Sequence, residues 1–269
     1  MNKEYKTYNL LDYLSKTSYF IKISEPRNSE KPIAFGTGFF VNYKDNCFFI
    51  TADHNIHIDD HDLNVRTGQD NSVEIFNNIN NKENFETLVT PISGFYYMDA
   101  IDITKPNKNP ELFDVALSLV DKSKLTAPFL TDDNIINEDG EQITKPGENK
   151  IQFLEEQLVE PYINDIYFVF GKIRPNLHGL FLHRKFSLKE NLKYIEPFGD
   201  YLLFNTETTI TDYEDWAGLS GSPVVNQRGD CVGVLCSINV NTKSLWIKPF
   251  SKIKMLMDLA ILQKKGFKK

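Results

Sequence analysis

Between Tyr19 and Ile238 the apolar residues of this chain recur in short runs of period two, broken by polar turns. Tyr19 to Ser24, Ile33 to Asn42 and Cys47 to Thr51 read as successive strands, the last two joined by the polar turn Tyr43-Lys44-Asp45-Asn46. Ser72 to Phe76 and Phe85 to Pro91 read as another pair around the Asn-rich turn Asn77 to Asn84, and Val115 to Val120 follows. A second set comprises Ile166 to Phe170, Leu180 to Phe186, Tyr201 to Thr206, Ser222 to Asn226 and Cys231 to Ile238, with Asn226-Gln227-Arg228-Gly229 as a turn. Helical spacing is confined to the ends. Asn9 to Ser15 sets Leu10, Leu11 and Leu14 on one face, and Lys248 to Lys264 does so with Ile253, Leu256, Met257, Leu259, Ala260 and Leu262.

Strands of this kind must bury a face against another layer. The polar, acidic stretch Thr131 to Lys150, with Pro146-Gly147, divides the pattern. The expectation is an all-β chain of two antiparallel β-barrels with a C-terminal helix. The first barrel, with its helical lead-in, would occupy 1–130, the linker 131–150, and the second barrel and helix 151–269. Gly36 and Gly38 fall inside a strand, where glycine marks a bulge or a close backbone approach.

Composition narrows the function. The 20 Phe and 12 Tyr suit strands. A net charge of −7 argues against nucleic acid as the main partner, because phosphate binding needs a concentrated positive face. The basic end Lys264-Lys265-Gly266-Phe267-Lys268-Lys269 reads as a solvated terminus. Met1 to Lys6 lacks the apolar segment of a secretory leader, and no apolar run is long enough to span a membrane. Cys47, Cys231 and Cys236 make no disulfide framework, and the last two, five apart in a strand, are expected on opposite faces. The expected setting is reducing and cytoplasmic.

Three separated segments carry chemistry: Ile50-Thr51-Ala52-Asp53-His54, Phe113-Asp114-Val115-Ala116-Leu117 and Gly218-Leu219-Ser220-Gly221-Ser222-Pro223. A serine hydroxyl is a poor nucleophile unless an imidazole takes its proton and a carboxylate holds that imidazole in the right tautomer. Ser220, His54 and Asp114 supply one candidate for each role. Glycines on both sides of Ser220 permit a tight turn, which can aim the amides of Gly218 and Ser220 at one point as an oxyanion hole. Each segment alone also reads as an ordinary turn or strand end; their joint occurrence favours the chemistry.

On these motifs the chain resembles trypsin-like (chymotrypsin-fold) serine peptidases of the signal-less bacterial kind. Gly36-Thr37-Gly38-Phe39-Phe40-Val41 resembles the strand ahead of the family's histidine, and Thr51-Ala52-Asp53-His54 resembles its Thr-Ala-Ala-His element. Asp114-Val115-Ala116-Leu117, Gly218 to Pro223 and Cys231-Val232-Gly233-Val234 resemble the elements that follow, so that the likeness spans Tyr19 to Leu262. The resemblance implies a cofactor-free, metal-free endopeptidase acting on protein or peptide substrates through an acyl-enzyme. Ser220 would attack, His54 act as base then acid, and Asp114 orient His54. Gly218 and Ser220 amides would form the oxyanion hole. The strand Cys236-Ser237-Ile238 would pair with the substrate backbone. Glu214, or its neighbour Asp215, would stand at the base of the specificity pocket and favour a basic side chain.

There are departures from the family pattern. Leu219 replaces the aspartate that pairs with a freshly cut N-terminus, so activation by trimming is not expected. Asp53 replaces an alanine and is either a second carboxylate near the site or a turn group. Ile238 replaces a frequent glycine and would narrow the pocket. A protease without a leader needs restraint, so control by a protein partner, a narrow substrate range or a site misassembled until triggered is expected, with a bacterial stress or defence role by analogy. Two other readings are a latent trypsin-fold binding module and a metal-dependent hydrolase. The latter rests on Asp53-His54-Asn55-Ile56-His57-Ile58-Asp59-Asp60-His61-Asp62, where His54, His57 and His61 would share a helix face.

Overall fold

The structure is a computed structural model and describes residues 10–266, apart from 27, 64, 68–69, 82–83, 101–103, 105–110, 125–128, 132–134, 137–141 and 179–180. The leader reading, the last three residues of the basic end and part of the 131–150 stretch lie outside the described residues.

Helix α1 (Leu10–Thr17) leads into β1 (Tyr19–Glu25), β2 (Asn28–Tyr43) and β3 (Asn46–Thr51). A 3-10 turn at Asp53–Asn55 and the short α2 (Ile58–Leu63) follow. Next come β4 (Ser72–Asn81), β5 (Asn84–Ile92), β6 (Phe95–Tyr96), β7 (Asp99–Ala100), β8 (Glu111–Leu112) and β9 (Ala116–Val120). The later part holds β10 (Phe153–Leu154), β11 (Tyr167–His178), β12 (Phe181–Phe198), β13 (Tyr201–Asn205), β14 (Pro223–Asn226), β15 (Cys231–Ile238), β16 (Ser244–Pro249) and α3 (Phe250–Gly266).

The chain is mostly β, in two antiparallel units with a C-terminal helix. The second unit is a closed six-stranded barrel in the order β11-β12-β13-β16-β15-β14. The first is an eight-stranded sheet, β5-β4-β1-β2-β3-β9-β6, with β10 added in parallel to β2 through Phe153 and Val41. This sheet is a half-barrel, open among the described residues, and with the closed second barrel and the C-terminal helix it gives the expected two-barrel architecture.

Three hydrophobic cores follow from the period of two. In β2 and β3 the alternate residues Phe39, Val41, Phe48 and Ile50 face a core shared with Phe170, Val225 and Val234 of the second barrel. Their neighbours Phe40, Cys47 and Phe49 face the interior of the first sheet with Ile21, Ile23 and Ile75. Val169, Phe204, Leu219, Val224 and Ile247 fill the second barrel. Because both faces are covered, β2 and β3 read as continuous apolar runs. Each buried Phe, Ile or Val contributes about 1.5–3 kcal/mol relative to exposure.

The terminal helices cross over. Tyr13 Oη of α1 donates to the Gly229 carbonyl at 3.0 Å, beyond the second barrel's β14. Phe250, Ile253, Leu256, Met257, Ala260 and Ile261 of α3 join the core between the two units.

Several sequence expectations change. Strand β12 runs on to Phe198, well past Phe186, because its second half intersperses charged residues among partly exposed ones and lacks an apolar run. Strand β16 takes up Lys248 and Pro249, the first two residues of the expected helix; the buried Lys248 disguises it, its ammonium lying over the Phe113 and Tyr201 rings at 4.3 and 3.5 Å. The helix starts at Phe250, which turns Ile261 inward and leaves Leu259 and Leu262 exposed. Cys231 and Cys236 share one core, since irregular pairing at Val224/Val225 and Leu235/Ser237 breaks the strict alternation of β15. In the 131–150 stretch Thr131, Ile135 and Thr144 are buried, and Thr131 N–H donates to the Glu148 carbonyl at 2.8 Å. No described helix is long and apolar enough to cross a membrane.

Candidate active site

His54 stands where β3 ends. Ala52 is still extended, at φ −69° and ψ 142°, and the chain then turns through Asp53–Asn55. Asp114 lies just before β9, which pairs with β3 through Ala116 and Thr51. That pairing brings the two residues together.

Asp114 is 7% exposed and accepts from His54 twice. The backbone N–H of His54 donates to Oδ1 at 3.0 Å, and ring Nδ1 lies 2.9 Å from both carboxylate oxygens. An ionised carboxylate only accepts, so Nδ1 carries the proton and Nε2 of the neutral ring is left as the acceptor.

Ser220 comes from the second barrel, on the loop between the 3-10 turn Tyr213–Asp215 and β14. Leu219 N–H donates to the Trp216 carbonyl at 2.9 Å, closing a turn in which Gly218 takes φ +102°. The third position of a type II turn needs such a φ. A Cβ on Gly218 would also lie 2.5 Å from the Lys172 carbonyl oxygen. Leu219, fully buried, anchors this loop in the second-barrel core. Gly221 N–H donates to Leu235 and Ser222 N–H to Leu219, whereas the amides of Gly218 and Ser220 have no acceptor among the described residues.

His54, Asp114, Gly218 and Ser220 line one cleft of about 760 Å³. Cys236, Ser237 and Ile238 line the same cleft. Strand β15 pairs with β14 only as far as Pro223 and Val234, while Ser237 and Ile238 pair with β16 on the other side. The Cys236 thiol donates to the Asp114 carbonyl at 3.0 Å, and burial pushes its pKa well up.

Glu214 is exposed and lines the cleft. Asp215 is not among the cleft-lining residues; it pairs with Arg174 at 2.7 Å, and Asp212 reaches the same guanidinium at 3.2 Å.

Asp53 is fully buried and turned away from the cleft. Its oxygens contact His57 Nδ1 at 2.8 Å, His61 Nε2 at 2.7 Å and Arg66 at 2.6 Å. Burial alone would raise its pKa; the histidines and Arg66 outweigh that and hold it far below the usual carboxylate range. His57 is sealed between Asp53 and Asp70, the latter 2.8 Å from Nε2. Burial opposes its protonation, yet the two carboxylates raise its pKa. Arg66 also forms a bidentate pair with Asp99 and stacks on Tyr97 at 4.6 Å. The three histidines therefore do not converge as metal ligands: His54 is held by Asp114, and His57 and His61 by Asp53. No group of three or more metal-ligating side chains occurs among the described residues.

Sequence reasoning missed Thr37, Asn55 and Arg174, and saw His61 only as a metal-ligand candidate. Only Gly36 and Gly38 gave a signal of close approach. A Cβ on Gly36 would lie 2.6 Å from the Asn55 side chain, and one on Gly38 would lie 2.2 Å from the Phe49 ring.

The fold and site thus define a two-unit β protein with a histidine–aspartate pair and a serine loop facing one cleft. No family model matches the chain, and no curated protein matches it. Among solved structures it is similar to GrC, at 14% identity over 95% of this chain and 96% of that one, with a TM-score of 0.47. It is similar to neuropsin, a serine protease expressed in the limbic system of mouse brain, at 13% identity over 91% and 96%, TM-score 0.48. It is also similar to the active form of the Rv3671c protease from M. tuberculosis, at 12% identity over 93% and 83%, TM-score 0.45. At such identities and scores the chemistry rests on this chain's own side chains.

Proposed function

We propose that this chain is a serine endopeptidase. The observation that carries the reading is the pair of hydrogen bonds from His54 to Asp114, one from its backbone N–H and one from ring Nδ1, which leaves ring Nε2 as the acceptor in the cleft that holds Ser220. Ser220 Oγ attacks the scissile carbonyl while His54 Nε2 takes its proton, and Asp114 stabilises the resulting imidazolium. The oxyanion is received by the N–H groups of Gly218 and Ser220, the loop amides without a described acceptor. His54 then gives the proton to the leaving amine, and water attacks the acyl-enzyme by the same route in reverse.

The free side of β15 at Cys236, Ser237 and Ile238 accepts the substrate backbone as an added strand. Glu214 is the carboxylate that meets a basic side chain before the scissile bond, because Asp215 is committed to Arg174.

Intact-mass analysis after treatment with a fluorophosphonate tests the reading. One adduct on the wild type and none on Ser220→Ala is the expected result. A folded wild type that takes up no adduct sinks it.

A further inference from the structure

The two carbonyls that flank the Ser220 amide are both held from the opposite unit. Thr37 Oγ1 of β2 donates to the Gly218 carbonyl at 2.7 Å. The Ser220 carbonyl accepts from Thr37 N–H at 2.9 Å and from Asn55 Nδ2 at 3.0 Å. Asn55 Nδ2 also donates to Thr51 Oγ1 at 2.9 Å, and Thr51 Oγ1 donates to the Thr37 carbonyl at 2.7 Å. All three side chains are buried, with Thr37 at 1%, Thr51 at 0% and Asn55 at 4% exposure.

These contacts act on whole peptide units. The unit Gly218–Leu219 is held by Thr37 at its carbonyl and by Trp216 at its N–H. The unit Ser220–Gly221 is held by Thr37 and Asn55 at its carbonyl and by Leu235 at its N–H. Between them lies the unit that carries the Ser220 N–H. Its two ends are fixed by these clamped neighbours, and its own Leu219 carbonyl accepts from Ser222 N–H at 2.9 Å. The fit leaves no slack: a Cβ on Gly221 would lie 2.1 Å from the Thr37 carbonyl oxygen and 2.4 Å from Thr51 Oγ1. Buried amide and hydroxyl groups that spend their donors in this way impose a single arrangement, since each broken bond leaves a desolvated partner.

Granting the serine peptidase reading, we infer that Thr37 and Asn55 are positioning residues that set the oxyanion loop from the first unit. The loop then takes its working form when the two units dock. Leu219 supplies an apolar anchor on the other side.

The test compares Thr37→Val, which keeps shape and loses the hydroxyl, with Thr37→Ser, which keeps the hydroxyl, and with Asn55→Ala. The second-order rate of fluorophosphonate inactivation is measured for each alongside its thermal melt. Loss of a single oxyanion donor costs about 10²–10³ in rate, so misplacing the loop should slow Thr37→Val by tens of fold or more. Thr37→Ser should recover most of that rate at a similar melting temperature, which a purely packing role would not give. Should Thr37→Val fail to fold, Asn55→Ala is judged by the same criterion. A folded Thr37→Val or Asn55→Ala labelled at the wild-type rate overturns the inference and leaves the peptidase reading standing. An unlabelled wild type overturns both.

Discussion

Asp114 receives the backbone and the ring N–H of His54 on the same carboxylate, with contacts of 2.9–3.0 Å. An amide at this position would have one accepting and one donating atom. The backbone N–H would claim the oxygen, and the NH₂ would face ring Nδ1. That forces the proton to Nε2, where it blocks acceptance from Ser220. Asp114→Asn should therefore fold normally and lose about 10⁴ in kcat. A stopped-time peptide hydrolysis assay reads this, and a loss under tenfold would contradict the tautomer role.

Gly218 combines a φ of +102° with a Cβ position 2.5 Å from a backbone oxygen. Gly218→Ala must shift the turn and with it one of the two amides proposed to receive the oxyanion. We expect a fall of about 10²–10³ in acylation rate with little change in substrate affinity. Pre-steady-state kinetics separates the two.

Ser222 Oγ is fully buried and has no hydrogen-bond partner among the described residues. Removing it frees no partner and ends a desolvation cost. Ser222→Ala should gain about 1 kcal/mol. Urea denaturation should show a higher midpoint at unchanged slope; a lower midpoint would mean that the hydroxyl is satisfied.

His57 makes stability depend on pH, and the sign follows from its raised folded pKa. The groups facing it are Asp53, Asp70, Arg66 and the Tyr97 ring. Its contribution is fully present below the unfolded value near 6.5 and is lost as pH rises through the folded value. Asp53, held low, acts on the acid side: its contribution is present above an unfolded value near 4 and is lost as pH falls. Both belong to one coupled cluster and do not add. Urea midpoints of the wild type should fall from pH 6 to 9, and His57→Gln should flatten that slope. A wild type with a flat profile would show that His57 is neutral.

The period of two made the strands of the first sheet legible, since Phe39, Phe40, Val41, Phe48, Phe49 and Ile50 are apolar on both faces. The same rule failed at β16, where Lys248 is buried among aromatic rings, and in the second half of β12, where one face is solvated. In the site, residue type and order pointed to His54, Asp114, Gly218 and Ser220. Thr37 and Asn55 were invisible, because a buried threonine or asparagine matters only through a partner about 180 or 165 residues away. Asp53 was seen as a carboxylate, but burial, which sequence does not report, turns it from the cleft toward His57, His61 and Arg66.

The crossing of the terminal helices has a consequence in time. A ribosome releases His54 and Asp114 long before Ser220, and α3 emerges after all of them. Yet α3 supplies six buried side chains of the core that holds the two units face to face: Phe250, Ile253, Leu256, Met257, Ala260 and Ile261. A nascent chain thus carries His54, Asp114 and Ser220 apart until α3 has emerged and can close the core between the two units.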